Sequence, residues 1–145
     1  MDVTDIVEIQ QLMALYGHAV DAPDQSMFPL IFTEDAAFDA RSTGWGLIEG
    51  REAIAAWFAL GKPPHPPAHN LMNVHVVERD GEVHALSKWM NIDRRSGGVF
   101  AGDNDDTVVR TPDGWRIKLR TFMIRYPENY KPYQPDAEWS ERVGA

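Results

Sequence analysis

The chain has no cysteine, which excludes disulfides, thiolate nucleophiles and cysteine-based zinc sites, and fits a cytoplasmic location. No apolar run approaches the ~20 residues that span a bilayer, so no membrane helix is expected. The first ten residues carry Asp2, Asp5 and Glu8 and no basic residue, so a signal peptide with its positive leading segment is not expected either. Basic residues are few overall: 14 Lys and Arg stand against 22 Asp and Glu, a net charge of −8. Such a surface repels phosphates and anionic lipid, so neither nucleic acid nor membrane is an expected partner. The sequence also lacks a glycine-rich phosphate loop, a serine elbow and a dinucleotide fingerprint. His65 and His69 have the spacing of a helical metal pair, but Pro66 and Pro67 rule out a helix there. No metal or cofactor is expected, so any chemistry must come from side chains alone.

What is present is the make-up of a globular chain: 145 residues, 43% hydrophobic and 25% charged. That length is expected to form one domain over 1–145 and to bury roughly 70% of its unfolded surface. Ile6, Ile9, Leu12, Met13, Tyr16 and Val20 recur at helical spacing, with Asp2 or Thr4 able to cap the start. A short, proline-interrupted helical segment runs through Met27, Leu30, Ile31 and Phe32, followed by a strand from Ala36 to Arg41 and a second short strand between Gly44 and Gly50. Arg51 to Leu60 reads as a helix with Ile54, Trp57 and Phe58 on its buried side, and the proline-rich stretch 62–67 as a stiff linker. Four longer strands are expected at about 68–79, 82–94, 98–111 and 115–126, divided by turn signals such as Asp80-Gly81 and Pro112-Asp113-Gly114. From about 127 the tail is expected to be extended. Helices followed by a meander of long strands imply an α+β fold, with the helices on one face of a curved sheet and a conical cavity suited to a small molecule.

Several polar residues fall where the pattern calls for apolar ones. Tyr16 lies within the first helical stripe and Asp21 at its end, while His69 opens the first long strand. Burying ionisable groups is costly, so groups kept in such places mark a candidate site. Asn73 follows His69 by four residues, which puts both on one strand face. Asp93 alternates with Ala85, Ser87, Trp89 and Asn91, and Arg125 with Trp115, Ile117, Leu119 and Met123. Asp93 and Arg125 are read either as an ion pair closing the cavity mouth or as groups binding a polar substituent, with Trp89 and Asn73 beside them. Asp106, in the block Asp-x-x-x-Arg with Arg110, is read as scaffold. His18, His65, His75 and His84 have no comparable partner in the pattern.

The blocks "LMALYGHAVDAPD", "FTEDAAFD", "EGREAIAAWF", "PAHNLMNV" and "VVRTPDGWRIKLR", over about residues 5–126, resemble the SnoaL-like branch of the nuclear transport factor 2 (NTF2)-like superfamily. The resemblance implies a cone-shaped curved antiparallel sheet with N-terminal helices in its concave face, and often a homodimer or homotrimer. It also implies that Asp21 and His69 form a dyad, as in hexachlorocyclohexane dehydrochlorinase and scytalone dehydratase. The fuller set Tyr16, Asp21, His69, Asp93 and Arg125 is similar to bile acid 7α-dehydratase, whose last strand ends much as Phe122-Met123-Ile124-Arg125-Tyr126-Pro127-Glu128 does here. Positions that carry Ser and Asn in scytalone dehydratase fall near Asp103 and Asp105. The Arg-x-Asp pair of limonene-epoxide hydrolase is missing, and the base of ketosteroid isomerase falls nearer Ala40 than Asp39. The expectation is a cofactor-independent lyase removing water from a small hydrophobic, steroid-like or polycyclic substrate. His69 is its base, Asp21 orients His69, and Tyr16 positions the substrate or donates a proton. An isomerase or cyclase built on the same dyad is the alternative. So is a non-catalytic module like the small subunit of ring-hydroxylating oxygenases, in which large side chains would fill the cavity.

Overall fold

A computed structural model describes residues 1–22, 24–60, 68–92 and 97–125. Helix α1 spans Val3–Asp21, and Asp2 and Asp5 cap each other's backbone N–H groups at its start. Ile9, Leu12, Met13, Tyr16, Ala19 and Val20 form its buried stripe. A single helical turn, α2, covers Phe28–Ile31, with Pro29 in the first turn where its missing N–H costs nothing.

Strand β1, Phe32–Ala40, begins directly at the end of α2 and so is longer than the expected Ala36 to Arg41. A tight turn, Arg41–Thr43, leads to β2, Gly46–Glu49, and α3 spans Arg51–Leu60 with Ile54 and Phe58 buried. The long strands are β3, Asn70–Arg79; β4, Glu82–Ile92; β5, Val99–Thr111; and β6, Gly114–Ile124. They close on left-handed turns at Asp80 and Gly81 (φ 53° and 83°) and at Gly114 (φ 104°), where the turn signals stand in the sequence.

The six strands form one sheet in the order β2-β1-β6-β5-β4-β3. Every pairing is antiparallel except β1 with β6, which run parallel. Helix α1 packs against β3, β4 and β6, and α3 against β1, so both lie on the concave face. The core between them is strongly aromatic, with Tyr16, Phe28, Phe32, Phe38 and Phe58 buried and in ring contact. Among the described residues no helix is long and apolar enough to cross a membrane. The proline-rich linker (61–67), Asp93 and the tail from 126 lie outside the described residues.

Candidate functional site

The site starts where α1 ends. Helical spacing buries Tyr16 and Val20 and leaves Asp21 at the last turn, beside the residue that leads into β3. Asp21 Oδ1 lies 2.6 Å from His69 Nδ1, and Asp21 Oδ2 accepts the His69 backbone N–H at 2.9 Å. This two-point grip fixes both the position of residue 69 and the orientation of its ring. The side chains are 29% and 13% exposed, so the contact is largely shielded from water. Gly17 makes the approach possible: a Cβ there would sit 2.9 Å from the His69 carbonyl oxygen.

Beneath the dyad lies an ion pair that the sequence pattern did not reveal. Arg120 is 1% exposed and Asp106 fully buried, with Nε and Nη2 of the arginine each 2.6 Å from a carboxylate oxygen. The guanidinium carbon stands 3.6 Å from the centre of the Tyr16 ring, a cation–π contact. Burial raises the Tyr16 phenol above its ordinary value and Arg120 opposes this only in part, so the group stays a neutral hydroxyl. Desolvation alone would lower Arg120, but the attraction of Asp106 outweighs it and the guanidinium stays protonated. Burial also pushes the Asp106 carboxyl upward, against the pull of Arg120. The short bidentate contact identifies the pair as ionic.

Alternation counted from Trp115 and Ile117 points Arg120 away from the core. Between Thr107↔Leu119 and Val108↔Ile117 the pairing slips by one residue, leaving Lys118 as a bulge in β6. Beyond it, Arg120 and Phe122 face inward and Arg125 faces outward. The available signal was the apolar phase itself, which is odd through Ile117 and Leu119 and even from Phe122.

A small pocket lies between the dyad and this floor, lined by Tyr16, His69, Trp89, Asn104, Arg120 and Phe122, with room for about one water molecule. Its wall is a run of near-parallel rings. Trp89 stacks on Phe122 at 4.4 Å and 15°, and the Trp45 ring is parallel to Phe122 within 8°, its centroid 6.3 Å away. Trp89 fits because Gly102 has no side chain: a Cβ there would come within 2.4 Å of the indole.

The structure therefore brings Tyr16, Asp21, His69 and Trp89 together, and it sets two expected residues apart. Asn73 does not share the face of His69, because β3 carries a bulge between Met72 and His75 where Asn73 takes φ 54° and is exposed. Arg125 lies on the convex face and grips Asp103 at 2.6 and 3.1 Å. Asp93 lies outside the described residues. His84, read as partnerless, is held by Asp105 at 2.7 Å, also on the convex face. Arg110 pairs with Asp5 and Glu8 rather than Asp106. Among the described residues no three His, Asp or Glu side chains gather as metal ligands would.

Comparison with known proteins defines the class. The chain belongs to the SnoaL-like domain family, whose model matches residues 1–121. It is 34% identical over 130 residues to an uncharacterized protein of Mycobacterium tuberculosis, covering 82% of this chain and 84% of the relative. It is 28% identical over 142 residues to the anthranilate 1,2-dioxygenase small subunit of Burkholderia cepacia, covering 84% and 88%. Two solved structures from Novosphingobium aromaticivorans share the fold. An NTF2-like protein has a TM-score of 0.72 at 24% identity, covering 97% of this chain and 90% of its own. A scytalone dehydratase-like protein has a TM-score of 0.69 at 19% identity, covering 85% of each chain.

Proposed function

We propose that the protein is a cofactor-independent lyase that eliminates water from a small hydrophobic molecule, with His69 as base and Asp21 as its orienting partner. The observation that carries this reading is the two-point contact of Asp21 with His69 beside the pocket. With Nδ1 committed to the carboxylate, the other ring nitrogen takes a proton from substrate carbon. The C–H electron pair becomes the new π bond, the C–O bond breaks, and the departing oxygen leaves protonated as water. Asp21 stabilises the imidazolium so formed. Tyr16, a neutral phenol, supplies or holds the proton at the leaving oxygen. The reading includes a single domain in the cytoplasm that self-associates as a dimer or trimer, which light scattering of the purified chain tests.

A second reading has its own support. The pocket is small, the aromatic core is full, and the chain resembles an oxygenase small subunit, which together favour a non-catalytic assembly module. Incubation with a panel of hydroxylated polycyclic and steroid-like carbonyl compounds, followed by mass spectrometry for loss of one water, separates the two. Turnover by the parent should fall about 10²–10⁴-fold in His69→Ala and stay unchanged in His84→Ala. If His69→Ala retains more than about a tenth of the parent rate, His69 is not the base. Absence of turnover across the panel favours the module.

A further inference from the structure

We propose that the deep end of the pocket is a hydroxyl-recognition site formed by Asn104 and Arg120. The inference deepens the lyase reading and rests on it for the premise that the pocket takes a small molecule. Asn104 is 3% exposed, and its amide nitrogen donates to Ser87 Oγ at 3.1 Å. Among the described residues its buried amide oxygen finds no hydrogen-bond partner, although the residue lines the pocket. A buried acceptor left unpaired is costly, so a native structure that keeps one beside a cavity is built for a donor from outside.

Arg120 supplies the complementary half. Its Nε and Nη2 are committed to Asp106, Nη2 also reaches Met13 Sδ at 3.6 Å, and the Tyr16 oxygen takes a further share of the guanidinium's hydrogen bonding, while Nη1, with two N–H groups, stays outside the ion pair. Arg120 lines the same pocket. The two residues are diagonal neighbours on the inward face, because Asp106 pairs with Arg120 and Asn104 with Phe122. An arginine can only donate and an amide oxygen can only accept. A group that satisfies both must accept and donate at once. A hydroxyl does so, whereas carbonyls, ethers and carboxylates bring no hydrogen and an ammonium brings no lone pair.

Size and walls narrow the class further. The space matches a single oxygen with its hydrogen. Trp89 and Phe122, stacked on each other at 4.4 Å, line it with apolar ring surface, which suits the hydrocarbon that carries the hydroxyl. The chemical class is thus a neutral alcohol or phenol, inserted hydroxyl first.

The test uses the full chain and three probes of one shape: phenol, anisole and toluene, titrated by amide and indole chemical shifts. Phenol should bind about tenfold or more tightly than anisole, which lacks the donor, and than toluene, which lacks both functions. In Asn104→Leu the preference should collapse to within about threefold. If that variant does not fold, Asn104→Ala removes the same acceptor with less bulk and is read in the same way. Equal affinity for phenol and anisole overturns the proposal, as does retention of the preference in the variant. A lack of phenol binding up to its solubility overturns it as well, and so does a crystal structure with phenol in which only an ordered water contacts Asn104. The preference is measured on binding alone, so it stands or falls separately from the turnover of His69→Ala.

Discussion

The two faces of the sheet carry nearly the same polar groups and use them differently. On the concave face stand Asp21 with His69 and Asp106 with Arg120; on the convex face stand Asp105 with His84 and Asp103 with Arg125. The His–Asp distances are 2.6 and 2.7 Å, and the shortest contact in each Arg–Asp pair is 2.6 Å. The surroundings differ. Asp105 is shared with Arg79, which also touches the His84 ring, so that histidine belongs to a surface network within the sheet. Asp103 is shared with Lys88. His69 instead joins a helix end to a strand, over an apolar pocket with a buried cation beneath it. A carboxylate on an imidazole is therefore no site in itself; the cavity and its low dielectric make the difference.

The largest expected effect breaks the arginine half of this comparison. Arg120→Met strands Asp106 in the core and should cost about 3–5 kcal/mol in urea unfolding. Arg125→Met, on a side chain 49% exposed, should cost less than about 1 kcal/mol. Equal losses would mean that burial does not separate the two faces.

Gly17→Ala sharpens the histidine half. Within a helix the change ordinarily gains about 1 kcal/mol, but here the new methyl meets the His69 carbonyl oxygen at 2.9 Å. Crowding of that kind costs about 1–3 kcal/mol, so we expect a net loss of stability and a displaced His69 ring. A thermal melt and the imidazole shifts of His69 check both, and a stabilised variant with unchanged shifts would count against the close packing of α1 on residue 69.

The smallest effect concerns pH on the convex face. Hydrogen bonds from Arg125, with help from Lys88 and against desolvation, hold the Asp103 carboxyl below its ordinary value. A depressed carboxyl contributes stability above its unfolded pKa of about 4, and that contribution is lost as pH falls through the folded value. The parent should therefore exceed Asp103→Asn by less than about 1 kcal/mol at pH 7, with the gap closing below about pH 4. A gap that persists at low pH would assign the effect to packing rather than charge.

Much of this architecture is readable from local pattern. Helix α3 matches its expected limits, and the four long strands end within about two residues of theirs, because apolar period and Gly-containing turns are properties of short segments. The parts that escaped the pattern are the ones that need a partner strand. Asp106 and Arg110 look like a pair in sequence, yet four residues along a strand put them roughly 13 Å apart, while Arg120 lies directly opposite Asp106. Unbroken alternation puts Asn73 and Arg125 on the inward face, and each lies at or beyond a bulge that reverses it.

The sequence by itself determined the helices, the strands, the acidic surface, the place of Tyr16 on the first helical stripe and those of Asp21 and His69 at element ends, since each follows from neighbours within a turn or two of chain. Only the tertiary structure decided which face Arg120 and Arg125 occupy, that Asp106 is the counter-ion of Arg120, and that Asn104 is left with an unanswered oxygen. Those depend on strand register, which the one-residue slip at Lys118 resets and which only the pairing across the sheet makes definite.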